Sequence, residues 1–146
     1  MNYPKLFISY VFSFCLCSLL LIYALRLPCY ISQNKELVEE YYYKNAFTFL
    51  SLDFVLIAIY FLIAAFFIWI CHVESNALQL ITVALVTLII SGAFCLYFVY
   101  TPQSRNFFSR WFHAVSWKAV LYDIFFLMIV FTVMMQFYQS LENQFM

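Results

Sequence analysis

The chain has 146 residues, of which 67% are hydrophobic and 10% are charged, and its formal net charge is zero. Soluble domains average about 45–50% apolar and about 25% charged residues, so this composition excludes a water-soluble fold and indicates lipid as the solvent. The sequence has no long basic run and therefore gives no indication of nucleic-acid binding.

Four apolar stretches are long enough to cross about 30 Å of hydrocarbon as helices, which takes roughly 20 residues each. Prolines fall at or outside their ends, and tyrosines and tryptophans cluster there as an aromatic belt. The first stretch is too long for a signal-peptide core and has no small-x-small cleavage site, so we expect a retained helix. The sequence predicts an all-α, polytopic membrane protein in which residues 1–146 form one domain, a bundle of four transmembrane helices. The predicted spans are 6–25, 46–70, 77–100 and 114–139.

The connections differ in length, and the short turn at residues 72–76 lies between two longer ones. In the first connection, Lys35 precedes Glu39 by four residues and Glu40 precedes Lys44 by four. Such i,i+4 pairs stabilise helices, which predicts that the second helix begins early and projects beyond the bilayer.

The third connection, residues 101–113, carries bulky aromatic residues at helical spacing, with polar residues between them. This pattern predicts a short interfacial helix in the headgroup plane before the last span, with an ordinary loop as the alternative. We expect partner contacts here and at the acidic part of the first connection. The predicted contact residues are Arg105, Phe107, Phe108, Arg110, Trp111, Phe112, Glu39 and Glu40.

Lysine and arginine are distributed unevenly between the two sides of the predicted bundle. The side with both termini and the short turn has only Lys5, whereas the two longer connections carry Arg26, Lys35, Lys44, Arg105 and Arg110. The positive-inside rule predicts that the longer connections are cytoplasmic and that both termini lie on the non-cytoplasmic side.

The sequence predicts neither a metal site nor a cofactor. Its five cysteines, Cys15, Cys17, Cys29, Cys71 and Cys95, form no C-x-x-C motif and no zinc-ligand set with the histidines. Cys15 and Cys17 diverge by about 200° on a helix, and Cys29 and Cys71 fall on opposite sides of the membrane. We therefore expect the cysteines to be small buried side chains without a disulfide.

Asp53, Lys118 and Asp123 are charged residues inside predicted spans. Asp53 lies about 10 Å from the start of its helix, and Asp123 and Lys118 lie in the same half of the bilayer. Counting back along the other two spans brings Ser18 and Ser91 to this level, as it does Cys17 and Gly92. The sequence thus predicts an intramembrane polar layer across the bundle, formed by Asp53, Lys118, Asp123, Ser91 and Ser18.

Lys118 and Asp123 are five residues apart, roughly 140° around the helix, so they do not face each other. We expect an interhelical contact between Lys118 and Asp53, or a hydrogen bond from a tyrosine, serine or threonine to Asp123. Ionisable residues inside a membrane suggest proton or ion movement, but they can also only fix the register of helices. No span is broken by proline and only one contains a glycine, which favours a rigid bundle over a moving carrier.

Two segments, "FFSRWFHAVSWKAVLYDI" (107–124) and "SLDFVLIAIYFLIAAFF" (51–67), resemble small multi-pass membrane proteins of large nucleocytoplasmic DNA viruses. In that pattern an aromatic-basic segment leads into a last span with a Lys-Ala-x-x-Tyr-Asp-like start. The residues that match it here are Trp111, Lys118, Tyr122 and Asp123, with Asp53 as the acidic residue of the second span. The resemblance implies a place in the lipid membrane beneath a viral capsid and no enzyme activity.

The chain has no catalytic triad, phosphate-binding loop or haem motif, so we expect a protein that is not an enzyme and identify no small-molecule substrate. The favoured hypothesis is a structural or assembly protein of a membrane, plausibly a viral inner membrane. Its partners would be the lipid bilayer and either copies of itself or other membrane or capsid proteins. The alternative is a subunit of a small ion or proton channel or transporter that uses the layer of Asp53, Lys118 and Asp123.

Overall fold

The computed structural model describes residues 2–143, which form helices and connections without any strand. Four of the helices are long and apolar enough to cross a membrane, and this confirms the predicted all-α architecture with four spans. They comprise Tyr3–Ala24, Ala46–Ile70, Asn76–Tyr100 and Trp117–Asn143. The largest difference from a predicted boundary is four residues, at the end of the last span.

The first span consists of two differently wound segments. Helix α1, Tyr3–Cys17, starts at Asn2, whose side chain accepts a hydrogen bond from the Lys5 amide at 3.4 Å. The chain continues without interruption as a π-helical segment, Ser18–Ala24. Arg26 then adopts a left-handed conformation (φ 51°), which turns the chain out of the span.

The first connection folds into two short helices, α2 (Leu27–Ile31) and α3 (Lys35–Glu39), and a π-helical turn, Glu40–Lys44. The predicted early start of the second span is wrong in one respect. Asn45 has φ −114° and ψ 30°, so this helical segment is separated from α4, Ala46–Ile70. Within this segment Glu40 forms its ion pair with Arg110 of the third connection and not with Lys44, the partner that the i,i+4 spacing suggested.

After α4 and the short turn, α5 (Asn76–Tyr100) crosses back and is followed by α6 (Phe107–Val115) and α7 (Trp117–Asn143). Helix α6 occurs where the sequence predicts a short helix, so the alternative of an ordinary loop is excluded. Ser116, with φ 52°, separates α6 from α7. The last span therefore starts three residues later than predicted.

The bundle is organised around α7, which packs against α1 on one side and α5 on the other, while α4 packs against α5. The Phe61 and Phe131 rings, with centroids 5.6 Å apart, join α4 to α7. At the ends of the chain the Asn2 amide donates a hydrogen bond to the Tyr138 hydroxyl at 3.1 Å. The two ends of the described chain therefore meet on one side of the bundle, and both longer connections lie on the other.

The outer surface of the four spans is apolar. Leu62, Ile89 and Leu121 are 70%, 69% and 66% exposed, and they lie on three different helices. A soluble protein rarely exposes a continuous apolar surface of this kind, whereas hydrocarbon is a suitable solvent for it. Together with the length of the four helices, this surface identifies an integral membrane protein.

All five cysteines are free thiols, as expected. The expectation that they are buried is correct only for Cys17 and Cys95, whereas Cys15, Cys29 and Cys71 are exposed. The exposed ones lie on outward faces of helices or in connections, where the neighbouring helices leave them uncovered.

Candidate functional site

A cavity of about 290 Å³ lies inside the bundle, toward the side of the longer connections. Residues of all four spans line it, and it is covered on the connection side by Tyr41, Tyr42 and helix α6. Asp53 and Asp123 are its two acidic residues, and no lysine, arginine or histidine of residues 2–143 lines it. The cavity therefore combines two carboxyl groups with mainly aromatic and aliphatic walls.

Asp123 is held by a chain of hydrogen bonds that crosses three helices. The Ser91 hydroxyl of α5 donates to Asp123 Oδ2 at 2.7 Å, and the Tyr60 hydroxyl of α4 lies 3.0 Å from Ser91 Oγ. A serine hydroxyl has one proton, and Ser91 gives it to Asp123, so Tyr60 must be the donor to Ser91. This arrangement confirms the expected hydrogen bond from a hydroxyl side chain to Asp123.

Asp53 receives its hydrogen bond from a residue outside the spans. The Tyr41 hydroxyl, in the turn before α4, donates to Asp53 Oδ1 at 2.5 Å. Burial raises the pKa of Tyr41 well above its usual range, and the nearby Asp53 carboxylate raises it further. Tyr41 therefore remains a neutral phenol that can donate its proton to the carboxylate.

Tyr41 is fixed in this position by a cluster of aromatic rings. Its ring centroid lies 4.3 Å from Phe49, 4.7 Å from Phe107 and 5.9 Å from Trp111. The last two rings belong to α6 and are nearly parallel to the Tyr41 ring. Stacked aromatic pairs contribute energy beyond their burial, so α6 and the turn before α4 form one packed unit over the cavity.

A bidentate ion pair joins α6 to the turn before α4 on the outer side of this aromatic cluster. Arg110 donates through Nη2 to Glu40 Oε1 at 2.6 Å and through Nη1 to Glu40 Oε2 at 3.0 Å. The Arg110 hydrogen bonds hold the pKa of Glu40 below its ordinary range, and Glu40 in turn raises the pKa of Arg110. We call the unit formed by residues 27–44 and residues 105–115, which include α6, the cap.

Four of the five residues predicted for the polar layer do line one cavity: Asp53, Asp123, Ser91 and Ser18. Lys118 does not, because its side chain is exposed and lies beside Leu27 and Tyr30 on the outer surface. The expected contact between Lys118 and Asp53 is not found among the described residues. Asp123 faces the interior, and a residue five positions earlier on the same helix points roughly 140° away from it.

The residues predicted for partner contact divide into two groups. Phe107, Trp111 and Phe112 are buried within the chain, and Arg110 and Glu40 bind each other. Phe108 is half-buried, while Arg105 and Glu39 are exposed. The cap buries most of its aromatic side chains in its own packing, and its free surface is mainly polar, with Tyr30 as an exposed aromatic residue at 82%.

The four tyrosines that line the cavity are not among the residues predicted for the polar layer. Tyr60 lies seven residues after Asp53, which places both on one face of α4, so the spacing contained a usable signal. Tyr41 and Tyr42 belong to a segment that resembles an aromatic belt, and nothing in the sequence indicates that they fold over the bundle. Tyr122 precedes Asp123, and adjacent residues on a helix usually face different directions.

The described part of the chain contains no cluster of three or more histidine, cysteine, aspartate or glutamate residues that could hold a metal ion. No protein-family model, curated protein or solved structure matches the chain. The chemistry available at the site is therefore that of two carboxyl groups, four tyrosines and the hydroxyls of Ser18 and Ser91, which are acceptors and donors for a polar or cationic group.

Proposed function

We propose that this chain is a structural or assembly protein of a membrane and that it contacts its partners through the cap. One observation carries the proposal: the two longer connections, which are separated in sequence by two whole spans, are packed into a single unit. The ion pair of Arg110 with Glu40 and the aromatic contacts of Tyr41 with α6 hold it together. A surface that is already ordered loses less entropy when a partner binds, which favours specific docking.

The free surface of the cap is charged, which supports a protein or headgroup partner rather than insertion deep into lipid. Lys35, Glu36, Glu39, Lys44 and Arg105 are all exposed there. Charges of both signs on a fixed surface provide specificity for a partner with the complementary pattern.

The distribution of lysine and arginine supports a cytoplasmic cap. Five basic residues belong to the longer connections, and Lys5 is the basic residue near the opposite surface. The positive-inside rule then places both termini on the non-cytoplasmic side. In this orientation α6, with its apolar face turned into the bundle, lies at the cytoplasmic membrane surface.

The resemblance of residues 107–124 and 51–67 to small multi-pass viral proteins supports a more specific setting. In a virion inner membrane, a cap on the side away from the lumen would face a capsid. The partners in that setting are capsid proteins, other membrane proteins or further copies of this chain, and the role is a non-catalytic one.

A channel or transporter subunit is the second candidate, favoured by the two carboxyl groups in one intramembrane cavity. The packing beyond the cavity counts against conduction through a single chain. Toward the chain ends, Phe61, Val83, Val130 and Met134 are buried and leave an apolar core. Ions would need a path between copies of the chain.

Site-specific photo-crosslinking in native membranes tests the cap proposal. A crosslinker at Glu39 or Arg105 should give defined protein adducts, whereas one at Leu62, which is 70% exposed on α4, should label mainly lipid. The double charge reversal Glu39→Lys with Arg105→Glu should abolish the adducts and disturb assembly. The matched control is Glu74→Lys in the short turn on the opposite side. Unchanged adducts and assembly after the double reversal would contradict the proposal.

A further inference from the structure

Two acidic side chains line the cavity, and no basic side chain of residues 2–143 accompanies them. Asp53 and Asp123 both line it, and the lysine that sequence reasoning assigned to it lies outside. Within the described part of the chain each carboxylate has one hydrogen-bond donor, Tyr41 for Asp53 and Ser91 for Asp123. A carboxylate has room for about four such contacts, so acceptor sites remain on both groups. An ionised carboxylate in a low-dielectric site is costly unless it is paired with a cation.

Ser18 provides an independent indication that the cavity receives a ligand. It is 4% exposed and lines the cavity, yet its hydroxyl has no hydrogen-bond partner among the described residues. Earlier in the same span, Ser9 and Ser13 donate to carbonyls four residues before them, at 2.8 and 2.6 Å. A buried polar group without a partner costs free energy, which a ligand group bound to Ser18 would recover.

Ser18 also begins the π-helical segment Ser18–Ala24. Such segments are rare and occur frequently at functional sites. The winding changes at the level where α1 meets the cavity, which distinguishes Ser18 from the two serines earlier in the helix.

The walls define the rest of the ligand. Aromatic rings of Phe14, Phe98, Trp111 and Phe126 line the cavity and suit an apolar body and a cation close to a ring face. Its volume of about 290 Å³ is at the small end of the range of about 300–1,000 Å³ for ligand pockets. An anionic ligand is disfavoured, because the described lining has two acidic side chains and no basic one. A bare metal ion would leave the apolar walls unused and has no third acidic or histidine ligand among the described residues.

The cavity reaches the outer surface of the bundle. Leu52 of α4 and Phe94 of α5 line it, although they are 37% and 46% exposed to the surroundings of the bundle. Both residues lie within the spans, so this opening faces hydrocarbon. The cavity wall formed by Leu52 and Phe94 therefore borders hydrocarbon on a side away from the cap.

We propose that this cavity binds a small lipophilic amine in its protonated form, taken from the bilayer between α4 and α5. Asp53 and Asp123 neutralise its ammonium group, Ser18 accepts a hydrogen bond from it, and the aromatic walls contain its apolar part. This site lies within the spans, apart from the exposed surface of the cap, and it does not depend on the assembly role.

The test uses the full chain in nanodiscs of zwitterionic phospholipid, with radiolabelled phenethylamine as the probe and 2-phenylethanol as its uncharged match. Phenethylamine should bind saturably and raise the temperature of thermal unfolding in a dose-dependent way, and 2-phenylethanol should do neither. The double variant Asp53→Asn with Asp123→Asn should weaken phenethylamine binding by about tenfold or more. Lys118→Met is the control. It removes a charge on the same helix as Asp123 but outside the cavity, and it should leave phenethylamine binding unchanged.

Ser18→Ala separates ligand binding from a structural role. Because the Ser18 hydroxyl has no partner within the described chain, its removal should not lower the stability of the unliganded protein. It should weaken phenethylamine binding by roughly threefold, as expected for one lost hydrogen bond. This variant keeps the test valid if the double aspartate variant does not fold.

Three results would overturn the proposal. One is equal uptake of phenethylamine and 2-phenylethanol, which would show a pocket for neutral lipid-like molecules. Another is unchanged phenethylamine binding in the folded double aspartate variant. The third is full protection against thermal unfolding by sodium or calcium ions alone, lost in the same variant, which would identify an inorganic cation site.

Discussion

The two halves of the bundle differ in the partners of their buried serine and threonine hydroxyls, although the Tyr10 hydroxyl of α1 also donates to another helix, at the Phe54 carbonyl of α4. In the half near the chain ends, the hydroxyls of Ser9, Ser13 and Thr87 turn back to carbonyls of their own helices. In the half near the cap, Ser91 connects α5 to Asp123 of α7, and Tyr41 reaches Asp53 from outside the spans. Hydroxyls satisfied by their own helix leave a dry, packed core, whereas hydroxyls shared between helices build a site. A single short bundle therefore has one half with a packed core and one half with a cavity lined by polar groups.

The largest effect should come from the packed half. Phe131→Ala removes a ring that packs on Phe61, with centroids 5.6 Å apart, and should lower the free energy of unfolding by about 3 kcal/mol. This value is at the low end for a buried phenylalanine, because lipid rather than water surrounds the unpacked helices. Reversible unfolding in mixed detergent micelles measures it. The control is Phe125→Ala on the same helix, where the ring is 51% exposed; equal losses for both variants would contradict a packed half.

Ser91→Ala should have the next largest effect, because it interrupts the chain from Tyr60 to Asp123. The Tyr60 hydroxyl and the Asp123 carboxylate both lose their partner, so we expect the free energy of unfolding to fall by about 2 kcal/mol in the same measurement. Ser51→Ala is the matched control, since the Ser51 hydroxyl is exposed and donates only to the Phe47 carbonyl of its own helix, at 2.7 Å. If the two alanine variants are equally stable, the interhelical chain contributes nothing.

Tyr41→Phe should cost about 1 kcal/mol, because it removes the hydrogen bond to Asp53 but keeps the ring and its stacking on α6. Tyr43→Phe, two residues later in the exposed part of the same turn, should be neutral. Near-ultraviolet circular dichroism should show that the aromatic cluster remains intact in both variants. A loss of that signal in Tyr41→Phe would mean that the hydroxyl, rather than the rings, positions the cap.

The smallest effect is a pH dependence at the outer side of the cap. The folded-state pKa of Glu40 is lowered by its hydrogen bonds with Arg110, so the unfolded state binds the proton more readily. The ion pair stabilises the fold at neutral pH, and this stabilisation is lost as the pH falls below the ordinary glutamate value of about 4.3. The effect is small because both side chains are 35% exposed.

Thermal unfolding of the wild-type protein and of Glu40→Gln, compared at several pH values, measures this dependence. The two curves should differ at neutral pH and converge in acid. Glu39→Gln serves as the control because its side chain is exposed and forms no ion pair with another described residue. A difference that grows as the pH falls would refute the sign of the shift.

Much of the fold could be predicted from composition and hydropathy, because a segment that crosses hydrocarbon must be helical and about 20 residues long. The second span was predicted at its observed boundaries, residues 46–70. The end of α6 at Ser116 was not predicted, because a positive φ at a serine leaves no pattern in the sequence.

The level of the polar layer could also be predicted, since the rise per residue fixes the depth of Asp53, Asp123 and Ser91 in their helices. The sequence could not predict whether Lys118 or Asp123 faces the interior. Spacing gives the angle between two side chains but not the rotation of the helix about its axis. That rotation depends on how buried residues of α7, such as Val120 and Val130, pack against the neighbouring helices. The role of Tyr41 depends on the folding of a connection over the bundle, which hydropathy does not describe.

Three corners of the chain, at Arg26, His72 and Ser116, have φ values of about 50° although none of them is glycine. A residue with a Cβ pays about 1–3 kcal/mol for such a sparsely populated backbone conformation, so these bends are not favoured by the local sequence. They persist because the helices on either side are already in place. The corners are consequently expected to form late during biogenesis, after neighbouring spans have docked, and to be the first points released when a detergent loosens the bundle.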